Sequence, residues 1–123
     1  MQDIKLNRIN NIFLGVSDLG RSSAFYRETL GLDLQFETEG FVFLKAGGVA
    51  LALSTAHARL ATPLAGATEV VFGVDDVTAT HEALTARGVE FLHPPRNVTG
   101  DQWAANFRDP DRHVLSIFGP EKA

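Results

Sequence analysis

The chain contains one unit twice, and that repetition restricts the fold more than any other feature. VSDLGRSSAFYRETLGLDLQF, from Val16, resembles VDDVTATHEALTARGVEFLHP, from Val74; the offset of 58 (74 − 16) carries Asp18 onto Asp76, Leu19 onto Val77 and Tyr26 onto Leu84. Each copy reads as a short strand, an Asp placed to cap a helix, the helix itself and a Gly that stops it, Gly31 or Gly88. Leu19, Tyr26 and Leu30 form the apolar stripe of the first helix, and Val77, His81 and Leu84 that of the second. On such a stripe His81 reads as a packed or rim residue.

A hairpin completes each half. In FVFLKAGGVALALS, Gly47-Gly48 supplies a tight turn; in QWAANFRDPDRHVLSIF, Asp-Pro-Asp-Arg supplies one. The pattern is βαβββ repeated in tandem, an α+β chain. The first repeat covers about 8–55 and the second about 69–119, joined by a linker over about 56–68 that holds Pro63 and Gly66. At 123 residues this is one domain, long enough to bury a core without staples.

Composition narrows the classes. There is no cysteine, hence no disulfide framework and no thiolate ligand or nucleophile, which accords with a reducing cytoplasm. The net charge is −4 with scattered Lys and Arg, which argues against nucleic acid. No apolar run reaches membrane length, so no membrane partner is expected.

Strand parity sorts the side chains onto two faces. A two-residue turn sets Phe43 opposite Ala52 and Leu44 opposite Leu51, so Val42, Leu44, Leu51 and Leu53 face the helices. Phe41, Phe43, Ala52 and Ser54 then face the other way. In the last hairpin a four-residue loop pairs Phe107 with Val114, Ala105 with Ser116 and Trp103 with Phe118, leaving Leu115 and Ile117 on the helix side. In RINNIFLGVSD the first strand turns Ile12, Leu14 and Val16 toward the helices, and Ile9, Asn11 and Phe13 away. Asn10 shares the helix-side parity near the strand start. The same offset of 58 maps Asn11 onto Glu69. The second face expected from these registers holds Phe13, Phe41, Phe43, Trp103, Phe107 and Phe118, with Asn11, Ala52, Glu69 and Ser116 among them. A solvated sheet face would carry Lys, Thr and Glu instead.

INNIFLGVSDLGRSSAFYRETLGL, VDDVTATHEALTARGVEF and FRDPDRHVLSIF, in that order over nearly the whole chain, resemble the vicinal oxygen chelate superfamily. That group includes glyoxalase I, extradiol dioxygenases and the fosfomycin- and bleomycin-resistance proteins. The resemblance implies a curved mixed sheet forming an open, barrel-like cleft with helices on its convex face, and a homodimer. In metal-using members four positions of the cleft hold a divalent ion. Motif by motif they fall on Asn11, Glu69, Ala52 (Ser54 is the alternative) and Ser116. Glu69 alone is a convincing donor; alanine supplies none, and Asn and Ser bind weakly without more charge. All four histidines fall elsewhere, and His113 has the helix-side parity. No metal and no cofactor are expected. Arg112 stands where the turn in that family usually continues with Gly.

An aromatic cleft without a metal suits flat aromatic or hydrophobic molecules, including cationic, antibiotic-like ones. The preferred expectation is a small-molecule binding protein of the bleomycin-resistance type. Its ligand-binding residues are Asn11, Phe13, Phe41, Phe43, Ala52, Glu69, Trp103, Phe107, Ser116 and Phe118. Among phenylalanines Glu69 is expected to have a raised pKa unless a partner compensates. The first competing reading is a metal-independent isomerase or lyase with Glu69 as catalytic general acid or base, although no second acid–base partner is legible. The second is a glyoxalase- or dioxygenase-like enzyme with atypical metal ligands. The third is a filled core or a dimer interface. Quenching of Trp103, the one tryptophan, is expected to separate cleft from interface.

Overall fold

The computed structural model describes residues 8–58 and 69–122. Pro63, Gly66 and most of the expected linker lie outside the described residues. The elements run β1 (Asn11–Gly15), α1 (Leu19–Ala24), a π-helical stretch (Phe25–Thr29), β2 (Asp33–Glu37), β3 (Phe41–Ala46), β4 (Val49–Ser54) and α2 (Thr55–Ala58). The second half continues β5 (Glu69–Gly73), α3 (Val77–Ala86), β6 (Arg96–Thr99), β7 (Gln102–Arg108) and β8 (Val114–Pro120). Two open four-stranded sheets result, ordered β1-β4-β3-β2 and β5-β8-β7-β6, so both modules have the same topology. In each, the first strand runs parallel to the last while the later pairs are antiparallel.

The repeat extends to single hydrogen bonds. Asp18 caps α1 by accepting from the Arg21 N–H at 3.0 Å, and Asp76 caps α3 by accepting from the Ala79 N–H at 3.2 Å. Each carboxylate satisfies a donor that the first helical turn leaves unpaired. Gly31 and Gly88 follow the helices at φ 84° and 94°, where a side chain would be strained. Gly47, at φ 77°, closes the β3–β4 turn between Ala46 and Val49.

The helix-side residues of both sheets join one hydrophobic core, with Leu14, Val16, Tyr26, Leu44, Leu53, Val77, Leu84, Phe107, Leu115 and Ile117 among them. Of the second helix's stripe, Val77 and Leu84 are buried, and His81 lies against the Phe91 ring at 4.3 Å.

The two modules are fastened by the turn at Asp109–His113. Buried Asp109 accepts from the Tyr26 hydroxyl at 2.8 Å and from the backbone N–H groups of Asp111 and His113. Asp111 accepts from the Ser17 N–H and hydroxyl and from the Ser22 hydroxyl. His113 Nε2 lies 2.7 Å from the Gly15 carbonyl oxygen, at the end of β1.

Candidate functional site

The β3–β4 register matches expectation: Phe43 pairs with Ala52, Leu44 with Leu51 and Phe41 with Ser54. β1 lies alongside, with Asn11 beside Ala50 and Phe13 beside Ala52. Asn11, Phe13, Phe41, Phe43 and Ala52 therefore share the face away from the helices. Asn10 is exposed and lies just before β1, where its carbonyl accepts from the Ala50 N–H at 3.1 Å.

Four rings gather on this face. Phe13 meets Phe41 and Phe43 edge-on at 6.1 and 5.6 Å, and Phe36 stacks on Phe43 at 4.6 Å with an interplanar angle of 11°. Phe36 reaches this face through an irregularity in β2 between Leu34 and Phe36, which moves it opposite Phe43. Plain alternation along DLQFE hides that shift, so parity alone could not have placed it. Phe36 and Phe41 remain 48% and 37% exposed, whereas Ala52 is fully buried and offers a ligand no surface.

The last hairpin corrects the expected register by one residue. Phe107 pairs with Leu115, Ala105 with Ile117 and Trp103 with Gly119, so Trp103 and Phe107 belong to the helix side. Phe107 is completely buried and Trp103 packs against the core. The cause is the turn. Asp109 N–H donates to the His113 carbonyl, Arg112 N–H donates to the Asp109 carbonyl, and Arg112 adopts φ 72°. The loop so formed pairs Arg108, not Phe107, with Val114. Consequently Trp103 quenching would report on the core and not on the open face.

The open face of the second sheet instead carries Ala104, Asn106 and Arg108 on β7, Ser116 and Phe118 on β8, and Glu69 and Val71 on β5. Sequence reasoning missed Asn106, although the alternation in QWAANFR, with Trp, Ala and Phe against Gln, Ala, Asn and Arg, already separates the two sides. Asn106 Nδ2 donates to Glu69 Oε2 at 2.5 Å, and its Oδ1 lies 2.8 Å from His93 Nε2. Glu69 is exposed and not enclosed among phenylalanines as expected. Ser116 is on the expected face but only 3% exposed, and Phe118 is half-buried. Glu69, Val71 and Gly73 line a cavity of about 480 Å³ with Lys45, Val49 and Ala50, at the approach of the β3–β4 hairpin to β5.

The four positions inferred for a divalent ion hold one carboxylate, one carboxamide, one hydroxyl and a methyl group. Among the described residues no group of three or more His, Asp and Glu gathers to complete such a set. This donor chemistry does not fit a divalent transition metal.

Tandem βαβββ modules, each an open four-stranded sheet backed by a helix, define the class of fold. The model of the Glyoxalase/Bleomycin resistance protein/Dioxygenase superfamily matches residues 8–117, and the chain belongs to that superfamily. It is similar to a glyoxalase/bleomycin resistance protein/dioxygenase from Nocardioides, with 26% identity, a TM-score of 0.80 and coverage of 98% of this chain and 88% of that one. TnmS3, an antibiotic binding protein from Streptomyces sp. CB03234, is 26% identical at TM-score 0.80, with 97% of this chain and 100% of that chain covered. A lactoylglutathione lyase from Agrobacterium tumefaciens shares the fold at 21% identity and TM-score 0.77, with 93% and 94% covered. A comparison with curated proteins gave no match.

Proposed function

We propose that the chain is a metal-free small-molecule binding protein that holds a flat aromatic or hydrophobic ligand, cationic antibiotic-like compounds included, without turnover. The observation that carries this reading is the four-phenylalanine patch on the open face of the first sheet. Phe43 sits at its centre, in contact with Phe13, Phe36 and Phe41. Rings held this way offer an added ring stacking and edge contacts at little ordering cost. Phe41 and Phe36 are exposed, which on a soluble chain is an unusual use of large apolar surface. The similarity to TnmS3 supports the same reading.

The reading includes a cytoplasmic homodimer. The support for the dimer is exposed apolar surface: Ile9, Val71, Leu92 and Val98 are each more than half exposed, in addition to Phe36 and Phe41. Sedimentation of the ligand-free chain tests it, and a monomer at micromolar concentration removes it.

The binding test is calorimetry with a panel of fused-ring aromatics against the wild type and Phe43→Ala. Saturable binding that weakens about tenfold, or ~1.4 kcal/mol, in the variant is the expected result. Absence of binding across the panel overturns the proposal.

A second reading, a metal-independent isomerase or lyase, draws on the hydrogen bond that holds the Glu69 carboxyl on the open face. Turnover that vanishes in Glu69→Gln while binding persists would establish it. Elemental analysis of the native protein addresses the remaining enzyme reading, one with atypical metal ligands.

A further inference from the structure

On the second sheet, three side chains form a continuous run of hydrogen bonds that the binding reading leaves unused. Asn106 Nδ2 donates to Glu69 Oε2 at 2.5 Å and points at the Leu115 carbonyl oxygen 3.4 Å away. Asn106 Oδ1 lies 2.8 Å from His93 Nε2, and His93 Nδ1 lies 2.7 Å from the Pro94 carbonyl oxygen. The edge segment is built to bring His93 here. Phe91 bridges to Phe107 and Arg96 pairs with Ala104, so four residues oppose two on β7. Pro94 and Pro95 occupy that excess and need no ladder donor.

The roles follow from what each atom is able to do. A carbonyl only accepts, so His93 Nδ1 donates to Pro94. The Asn106 amide nitrogen faces a carboxylate and a carbonyl, which orients its oxygen toward His93. That oxygen also only accepts, so this contact is a hydrogen bond when His93 Nε2 carries hydrogen. A ring with hydrogen on both nitrogens is the imidazolium. The run is therefore complete, as cation, amide and carboxylate, only when both ring nitrogens carry hydrogen.

We infer that His93 is a positioning residue for Glu69: its proton sets the orientation of the Asn106 amide, and through it whether the Glu69 carboxylate is held or released to an ammonium-bearing aromatic ligand. This inference rests on the reading of the open face as a ligand surface. When His93 loses its Nε2 proton, two lone pairs oppose each other across Nε2 and Oδ1. The amide then turns over, Nδ2 donates to the ring, and Oδ1 faces Glu69. The carboxylate loses its donor and swings free to accept from a ligand ammonium group. Among the described residues, Arg108 on β7, Arg96 on β6, Glu90 on the edge segment and Lys45 on β3 are charged groups on the surrounding elements. Of the ordinary side chains only imidazole changes charge near neutral pH, so these four form a constant background.

The test is side-chain NMR on the ligand-free protein, following the Asn106 amide, the Glu69 carboxyl carbon and the His93 ring nitrogens from about pH 5 to 8. In the wild type the Asn106 and Glu69 signals move with the His93 midpoint. In His93→Gln both movements vanish. In Asn106→Leu the His93 signals still titrate while Glu69 no longer follows. Identical Asn106 and Glu69 profiles in the wild type and His93→Gln overturn the inference.

A second arm uses 2-naphthylmethylammonium and the neutral 2-naphthylmethanol as calorimetric probes. The ammonium probe gains affinity several-fold as pH rises through the midpoint, the alcohol does not change, and His93→Gln abolishes the difference. An equal pH response for both probes overturns the inference. If neither probe binds, the binding reading falls, while the NMR arm still decides the coupling.

Discussion

The Tyr26 hydroxyl donates to Asp109 Oδ2 at 2.8 Å, tying the π-helical stretch after α1 to a turn 83 residues away. Both groups are buried. Burial raises the tyrosine's pKa, and the Asp109 charge and hydrogen bond raise it further, so the phenol stays a donor. Tyr26→Phe removes a donor to a buried carboxylate without changing shape. Urea unfolding is expected to show a loss of about 1–3 kcal/mol. A midpoint equal to the wild type's would mean that the bond contributes nothing net.

The two carboxylates of that turn respond to acid in opposite senses. For Asp111, partial burial pushes the pKa up, but the Ser17 N–H and hydroxyl, the Ser22 hydroxyl and the Arg21 charge outweigh it, and the net shift is downward. Its folded value lies below its unfolded one. The stabilisation is thus complete above about pH 4 and is lost as pH falls through the folded value. For Asp109, burial raises the pKa despite opposing hydrogen bonds from His113 N–H and Tyr26. Its contribution is present below the unfolded value and fades as pH rises through the folded one. Asp111→Asn is expected to cost about 1–3 kcal/mol near neutral pH, with the deficit closing below about pH 4. Urea midpoints across that range check it.

Gly119 on β8 pairs with Trp103 on β7, and a Cβ built at Gly119 would lie 2.1 Å from the Val74 carbonyl oxygen. Backbone cannot retreat as a flexible side chain does. Gly119→Ala is expected to cost about 1–3 kcal/mol, measured as a drop in Tm.

The corrected register makes a paired prediction. Phe107→Ala empties a fully buried position and is expected to cost about 3–5 kcal/mol. Phe43→Ala, on the half-buried open patch, is expected to cost less stability and more binding. Denaturation and calorimetry on the same two variants separate the roles, and a reversed pattern would restore Phe107 to the ligand surface.

The legibility of the fold tracks how local each determinant is. The helix caps at Asp18 and Asp76, the stops at Gly31 and Gly88 and the Gly47-Gly48 turn depend on a few adjacent residues, and each is visible in the chain. The β3–β4 register followed because a two-residue turn leaves one way to pair. The β7–β8 register did not, because the loop from Asp109 to His113 is set by contacts with Tyr26, Ser17 and Ser22, far away in sequence, and by a left-handed Arg112. A one-residue error there exchanges every side chain of β7 between faces. Phe36 escaped for a related reason, a bulge that alternation does not announce. His93 needed the Pro94-Pro95 excess to reach Asn106, a geometry that no spacing rule contains.

The duplicated halves differ in what they display: a cluster of four rings on one ladder, a hydrogen-bonded run of carboxylate, amide and imidazole on the other. Because separate ladders support these surfaces, exchanges away from the cavity that both sheets line leave the twin undisturbed, and their energetic effects sum. Such an arrangement lets a lineage retune shape preference and charge preference as independent dials while the shared interior stays unchanged.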